Sequence, residues 1–283
     1  MLDKIIEKSK ILLSNTNTEF IRDLYYKIDF SSKLIGIVWQ RWVWKTTLML
    51  QYLKNNSDLK SIYFSADNVN ITNKWLYNIV DELYFNYDIK TFAIDEIHKY
   101  QWWNQELKNI YDDFPNIKII FSWSSSVDLI KWKYDLSRRL VLYKMNWFSF
   151  REYVNKVKWV NIKRYDLADL VNNYQNISKE IYDVLWDETL SLFREYLERW
   201  YYPFNFESSD KEIYYNKLLW ALDKLIYEDI SNFYKIESLN LEKLRKIIIF
   251  YAFSAPWELS INALKEKLWL AYDTTVNYLE ILQ

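Results

Sequence analysis

The chain has 283 residues, and its 37 Lys and Arg against 38 Asp and Glu leave a net charge of −1, so nothing in its bulk charge points to a polyanionic partner. With no cysteine and a single histidine, His98, disulfide frameworks, thiolate metal sites, His-based zinc centres and most catalytic triads are excluded. No apolar run approaches the roughly 20 residues a bilayer span needs, and the N-terminus lacks a signal-peptide core, so the expected location is the cytoplasm, with no membrane partner.

In chain order, Leu2, Ile5, Ile6, Ile11, Leu12, Phe20, Ile21 and Leu24 recur at helical spacing, which predicts one or two helices over 2–28. Strand-like apolar runs follow at 34–38, 61–65, 91–94, 118–121 and 140–143, with helical patterns between them at 46–54, 73–85 and 104–114. Strands alternating with helices predict βαβ crossovers, hence an α/β fold with a parallel sheet covered on both faces. From about Phe148 the pattern is helical for some ninety residues with no strand signal. The last stretch, 259–282, predicts helix, turn, helix, the second helix starting near Asp273; the chain then stops at Gln283 and reads as a fragment. The expected division is N-terminal helices at 1–30, an α/β core at 31–150, a helical domain at 151–235 and a partial C-terminal domain at 236–283.

The central stretch is Leu34-Ile-Gly-Ile-Val-Trp-Gln-Arg-Trp-Val-Trp-Lys-Thr-Thr-Leu48. An apolar strand, a short loop, Lys-Thr and a helix form the layout of a phosphate-binding P-loop, yet Trp39 and Trp44 occupy both obligatory glycine positions. Such a loop turns backbone N–H groups inward with angles that glycine reaches cheaply, and indoles are expected to obstruct it. Composition bears on the conflict: the chain holds 1 Gly and 15 Trp, where ordinary usage would give about 20 Gly. The contexts are those of glycine, as in Ser122-Trp-Ser-Ser-Ser126, Arg199-Trp-Tyr-Tyr-Pro203 and Lys267-Leu-Trp-Leu270. Wealth in Ile, Lys, Asn and Tyr indicates an A+T-rich gene. In a lineage that reads UGA as glycine, a table reading UGA as tryptophan produces this substitution. The alternative is a chain truly rich in Trp, and in Gln101-Trp-Trp-Asn104 we read Trp103 as genuine.

With glycine at 39, 42 and 44, the residues Trp39, Gln40, Arg41, Trp42, Val43, Trp44, Lys45, Thr46 and Thr47 become a complete phosphate cradle. In it Lys45 meets the phosphates as a point charge and the Thr46 hydroxyl ligates Mg²⁺. A second motif, Lys90-Thr-Phe-Ala-Ile-Asp-Glu-Ile-His98, ends an apolar strand in two acids. Asp95 suits Mg²⁺ and Glu96 suits activation of the attacking water; the competing reading is an ordinary acidic pair at a strand end. Ser124 or Ser122 offers a polar sensor for the terminal phosphate, or else a helix cap. Arg138 and Arg139 offer an arginine finger, supplied in cis or to a neighbouring subunit, or else a solvated pair. His98 is assigned no chemistry.

These landmarks, together with Trp147-Phe-Ser-Phe-Arg-Glu-Tyr153 and Phe193-Arg-Glu-Tyr-Leu-Glu-Arg-Trp-Tyr-Tyr-Pro203, resemble the bacterial and archaeal AAA-type P-loop ATPases that carry an Ile-Asp-Glu-Ile-His motif. The resemblance spans nearly the whole chain. It implies a RecA-like core with strand order 5-1-4-3-2, a helical lid, a winged helix that is partial here, and a further C-terminal domain. It also implies an ATPase that uses ATP and Mg²⁺ as a conformational switch, as a homo-oligomer or with a protein partner. The departures at Trp39, Trp42 and Trp44 bear on nucleotide binding by the literal chain. Two alternatives stay open: a DNA-binding winged-helix regulator, and an inactive pseudo-ATPase with true tryptophans. The regulator is weakened by its second helix, where Asp273 and Glu280 are the charged residues and Asn277 the main base-reading candidate.

Overall fold

The structure, a computed structural model, describes residues 2–38, 41–72, 74–124, 136, 138–199, 202–207, 210–234, 236–255 and 260–282. They form two compact units, Met1–Ser209 and Asp210–Gln283.

The first unit opens with helix α1 (Leu2–Asn15) and a 3₁₀ turn (Asp23–Lys27). An alternating series follows: β1 (Leu34–Val38), α2 (Lys45–Asn55), β2 (Ser61–Ser65), α3 (Val69–Thr72), α4 (Leu76–Asn86), β3 (Thr91–Asp95), α5 (Trp103–Asp113), β4 (Lys118–Trp123) and β5 (Leu140–Lys144). The five strands are parallel in the order β2-β3-β4-β1-β5, which is the expected 5-1-4-3-2 read from the other edge. Alternate residues serve opposite faces. Leu34, Ile62, Phe92 and Ile119 pack with Leu83, Leu107 and Ile110 of α4 and α5, whereas Ile35, Ile37, Ala93 and Ile120 pack with Leu48, Met49 and Leu53 of α2. Burial on both faces explains why β1 and the interior of β3, Phe92-Ala-Ile94, are apolar rather than alternating.

Gly36 at the centre of β1 is fixed by space. A Cβ there would lie 2.6 Å from Leu142 Cδ2 and 2.9 Å from Phe121 Cζ, the side chains of its two cross-strand neighbours.

Past the sheet, α6 (Phe150–Lys158), α7 (Leu167–Leu185) and α8 (Thr189–Arg199) form a helical segment with a small core of Tyr153, Val154, Leu185 and Leu192. Ser149 and Glu152 start α6 with a reciprocal capping box, each side chain taking the other's backbone N–H. The second unit is helical among the described residues: α9 (Lys211–Lys224) runs through a π-helical turn (Leu225–Ile230) into α10 (Ser231–Tyr234), followed by α11 (Ser238–Phe253), α12 (Ile261–Leu268) and α13 (Tyr272–Leu282). Its core is Ile226, Leu244, Ile247 and Leu264. The junction between α12 and α13 falls where the sequence puts it, and Trp269 there closes α12 with φ 54°. No helix among the described residues is long and apolar enough to cross a membrane.

Candidate functional site

Parallel strands present all their carboxyl ends at one edge of the sheet, and the loops leaving β1, β3 and β4 meet there. The loop after β1 contains Trp42 at φ 59° and Trp44 at φ 70°, both in the left-handed region that costs an L-residue about 1–2 kcal/mol. Trp44 also begins α2, its carbonyl accepting the Leu48 N–H at 3.0 Å. Trp39 and Gln40 lie outside the described residues. Val43 is fully buried, Lys45 is buried at the first position of α2, and Arg41, Thr46 and Thr47 are half-buried beside it. The expected obstruction by the ring at position 44 is not what the structure has. That indole packs among Phe20, Phe148 and Phe206 at centroid distances of 6.2, 5.4 and 6.1 Å, so the conflict at this residue lies in its backbone.

The second motif closes onto this loop. Thr46 Oγ1 donates to Asp95 Oδ2 at 2.5 Å, joining the start of α2 to the end of β3. Tyr63 of β2 donates its hydroxyl to the same oxygen at 2.9 Å, and Ser122 of β4 donates to Asp95 Oδ1. Asp95 is thus held from three neighbouring segments. Glu96 follows in left-handed backbone, φ 50°, and its N–H donates to Ser122 Oγ at 3.0 Å. The kink turns its carboxylate to Ser124, whose hydroxyl donates to Oε1 at 2.6 Å, while His98 Nε2 stands 3.3 Å from Oε2. Burial pushes the Glu96 carboxyl above its ordinary value; the Ser124 hydrogen bond opposes the shift and the neighbouring Asp95 charge adds to it, with Arg41 and Lys45 as nearby positive charges.

Of the two serines proposed from sequence, Ser124 touches Glu96 and Ser122 braces Asp95 and the Glu96 backbone. Arg138 and Arg139 are elsewhere. They precede β5 and so stand at the amino edge of the sheet, a strand length from Asp95, and Arg139 forms a two-pronged pair with Asp112 of α5 at 2.9 Å on each prong. Sequence reasoning missed Tyr63 and the pair Arg22–Glu152, Nε to Oε1 2.8 Å, which borders the loop. A tyrosine within an apolar strand gave no signal, but Ser149-Phe-Arg-Glu152 is a legible capping-box pattern.

An oxygen donor set of one carboxylate and one hydroxyl beside the buried Lys45 fits Mg²⁺, a hard cation that keeps several waters and needs few protein ligands. Thr46 and Asp95 would hold it, and it would neutralise charge developing on phosphate oxygens.

An uncharacterized protein of Methanocaldococcus jannaschii is 27% identical over 300 residues, covering 98% of this chain; the chain spans 62% of that relative's length. Among solved structures, PCH-2 of C. elegans matches at 16% identity and TM-score 0.35, over 60% of this chain and 46% of that one. AMPPCP-bound DnaA of Aquifex aeolicus matches at 13% identity and TM-score 0.33, over 98% of this chain and 86% of that one. Residues 31–154, which carry the five strands and every site group from Arg41 to Ser124, match the family model of the AAA domain.

Proposed function

We propose that this chain binds and hydrolyses Mg-ATP at the carboxyl edge of its sheet, and that the native protein carries glycine, read from UGA, at 39, 42 and 44. The observation that carries the proposal is the contact between Thr46 and Asp95. It joins a Lys-Thr helix start and an Asp-Glu strand end, 49 residues apart, in one buried polar cluster. Lys45 neutralises the β- and γ-phosphates, Asp95 and Thr46 hold the cation, Glu96 orients the attacking water, and Ser124 fixes the Glu96 carboxylate. Phosphoryl transfer asks mainly for this positioning and charge neutralisation. Nucleotide state then switches the arrangement of the helical parts that follow, the lid at 151–235 and the winged helix at 236–283, in a cytoplasmic protein that acts as an oligomer or on a protein partner.

Backbone angles support the glycine reading. Five of the seven residues with positive φ among the described residues are tryptophans: Trp42, Trp44, Trp159, Trp186 and Trp269. Trp159 and Trp269 sit where helices end in left-handed backbone, the usual place of a C-terminal glycine. Trp123 is fully buried with an indole N–H that finds no acceptor among the described residues. Trp103 differs: it opens α5 and packs its buried indole against Phe121 at a centroid distance of 6.2 Å, as a genuine core tryptophan does. Trp132, Trp200 and Trp257 lie outside the described residues.

The packing of Trp44 against three phenylalanines favours a second reading, an inert chain with true tryptophans. One experiment separates the two: the mass of the peptide covering residues 34–48 from the native host, with the melting temperature of that protein with and without Mg-ATP. Glycine masses and an ATP-dependent rise support the ATPase. Tryptophan masses with no rise leave the inert reading standing alone.

A further inference from the structure

Arg22 has a heavily used side chain, and none of the roles above employs it. It is 4% exposed, just ahead of the 3₁₀ turn. Its Nε donates to Glu152 Oε1 at 2.8 Å, Nη1 donates to the Val43 carbonyl at 2.9 Å, and Nη2 donates to the carbonyls of Asn146 and Trp147 at 2.9 and 3.0 Å. The guanidinium also lies 4.1 Å over the Phe148 ring. Glu152 completes the arrangement by accepting the N–H groups of Asp23 and Ser149, each at 3.0 Å. Burial alone would raise this carboxyl, but the charge and hydrogen bond of Arg22 hold it below its ordinary value. A planar fork of N–H donors is therefore spent on three segments: the loop after β1, the exit of β5 and the first turn of α6.

The bond to Val43 has a consequence for the loop. In a planar trans peptide the carbonyl and the next N–H point in opposite directions, so a Val43 carbonyl held outward by Arg22 aims the N–H of residue 44 inward. Left-handed backbone at 44 continues that turn, which is how backbone N–H groups gather into an anion nest. A carbonyl free to rotate inward would instead set a negative dipole against the phosphates. We propose that Arg22 is a positioning residue of the phosphate-binding loop: it brackets the Val43 carbonyl so that the nest is formed before nucleotide arrives, and through Glu152 it ties that geometry to the first turn of α6. The proposal rests on the Mg-ATP reading for its function, not for its geometry.

The test uses the full chain with glycine at 39, 42 and 44 as parent, and three variants. Glu152→Gln removes the ion pair, keeps the capping geometry and leaves Arg22 on Val43. Arg22→Met with Glu152→Gln leaves no buried charge unpaired. Arg22→Lys keeps the pair with a single-point donor that cannot fork to Val43. Readouts are the Kd for MgADP and the amide exchange of residues 41–46, with a cooperative melting transition as the check of folding. Both Arg22 variants should bind MgADP about tenfold more weakly and exchange faster at residue 44, whereas Glu152→Gln alone should stay within about threefold of the parent. Arg22 variants that fold, bind and exchange as Glu152→Gln does would overturn the proposal, because they would reduce Arg22 to a structural ion pair. A parent that binds no MgADP sinks the ATPase reading, and the exchange measurement, which needs no nucleotide, still decides the bracket.

Discussion

The two edges of the sheet are made by the same five strands and could hardly differ more. At the carboxyl edge Lys45, Asp95, Ser122 and Ser124 are each 5% exposed or less, and hydrogen bonds cross between segments there, Ser122 to Asp95 and Ser124 to Glu96. At the amino edge the charges are paired in the open: Lys60 with Asp88, and Arg139 with Asp112, whose side chains are 27% and 45% exposed. Open pairs of that kind contribute about 0–1 kcal/mol and hold no shape that chemistry needs. Burying several polar groups at one end costs stability and persists where the groups have work to do. The proposed site lies at the end of the strands that buries its polar residues.

That contrast can be broken deliberately, using the chain with glycine at 39, 42 and 44. The largest effect is expected at Lys45: Lys45→Ala should lower ATP hydrolysis about 10³-fold, read by phosphate release. Glu96→Gln should lower kcat by about 10²–10⁴ while Kd for ATP stays near that of the parent; unchanged kcat would remove Glu96 from the reaction. At the border of the loop, the Glu152 carboxyl titrates below its ordinary 4.5. Its contribution to stability is therefore complete above that value and lost as pH falls through the lower folded value. Melting temperature should drop on acidification below about pH 4.5 more steeply in the parent than in Glu152→Gln. Away from both edges, Trp269 is 94% exposed in left-handed backbone. Trp269→Gly should raise stability by about 1 kcal/mol in urea unfolding. The smallest effect belongs to the amino edge: Arg139→Ala should change stability by less than about 1 kcal/mol and leave hydrolysis by dilute protein untouched, whereas a large loss would bring Arg139 to a site of its own or a neighbour's.

Much of the frame is legible in the chain. Continuous apolar runs at 34–38 and 91–94 mark strands buried on both faces, and the structure extends the second by one residue to Asp95, because the acid itself belongs to the ladder. The helical pattern at 73–85 shifts to Leu76–Asn86, preceded by the separate short turn Val69–Thr72, since a pattern of apolar residues does not record where a helix is interrupted. Lys45, Thr46, Asp95 and Glu96 are readable because their spacing is tied to one strand–helix unit. Tyr63 and Arg22 are not readable. Their partners lie 32 and 130 residues away, and only the folded sheet brings them together. Arg139 stands just ahead of β5, so its place at the far edge follows once β5 is seen to run parallel beside β1.

One contact at the margin of the sheet has a bearing on solubility. β2 is an edge strand, and its outward N–H groups would offer a template for another chain's backbone. Helix α1 lies along it: Ser9, itself buried, takes the Tyr63 N–H on its hydroxyl at 2.9 Å, and Leu2 and Ile5 join the core that contains Ile62 and Phe64. The first helix is thus a shutter over the open side of the sheet. Chains made without it would expose a strand ready to pair with its own copy, and would be expected to aggregate.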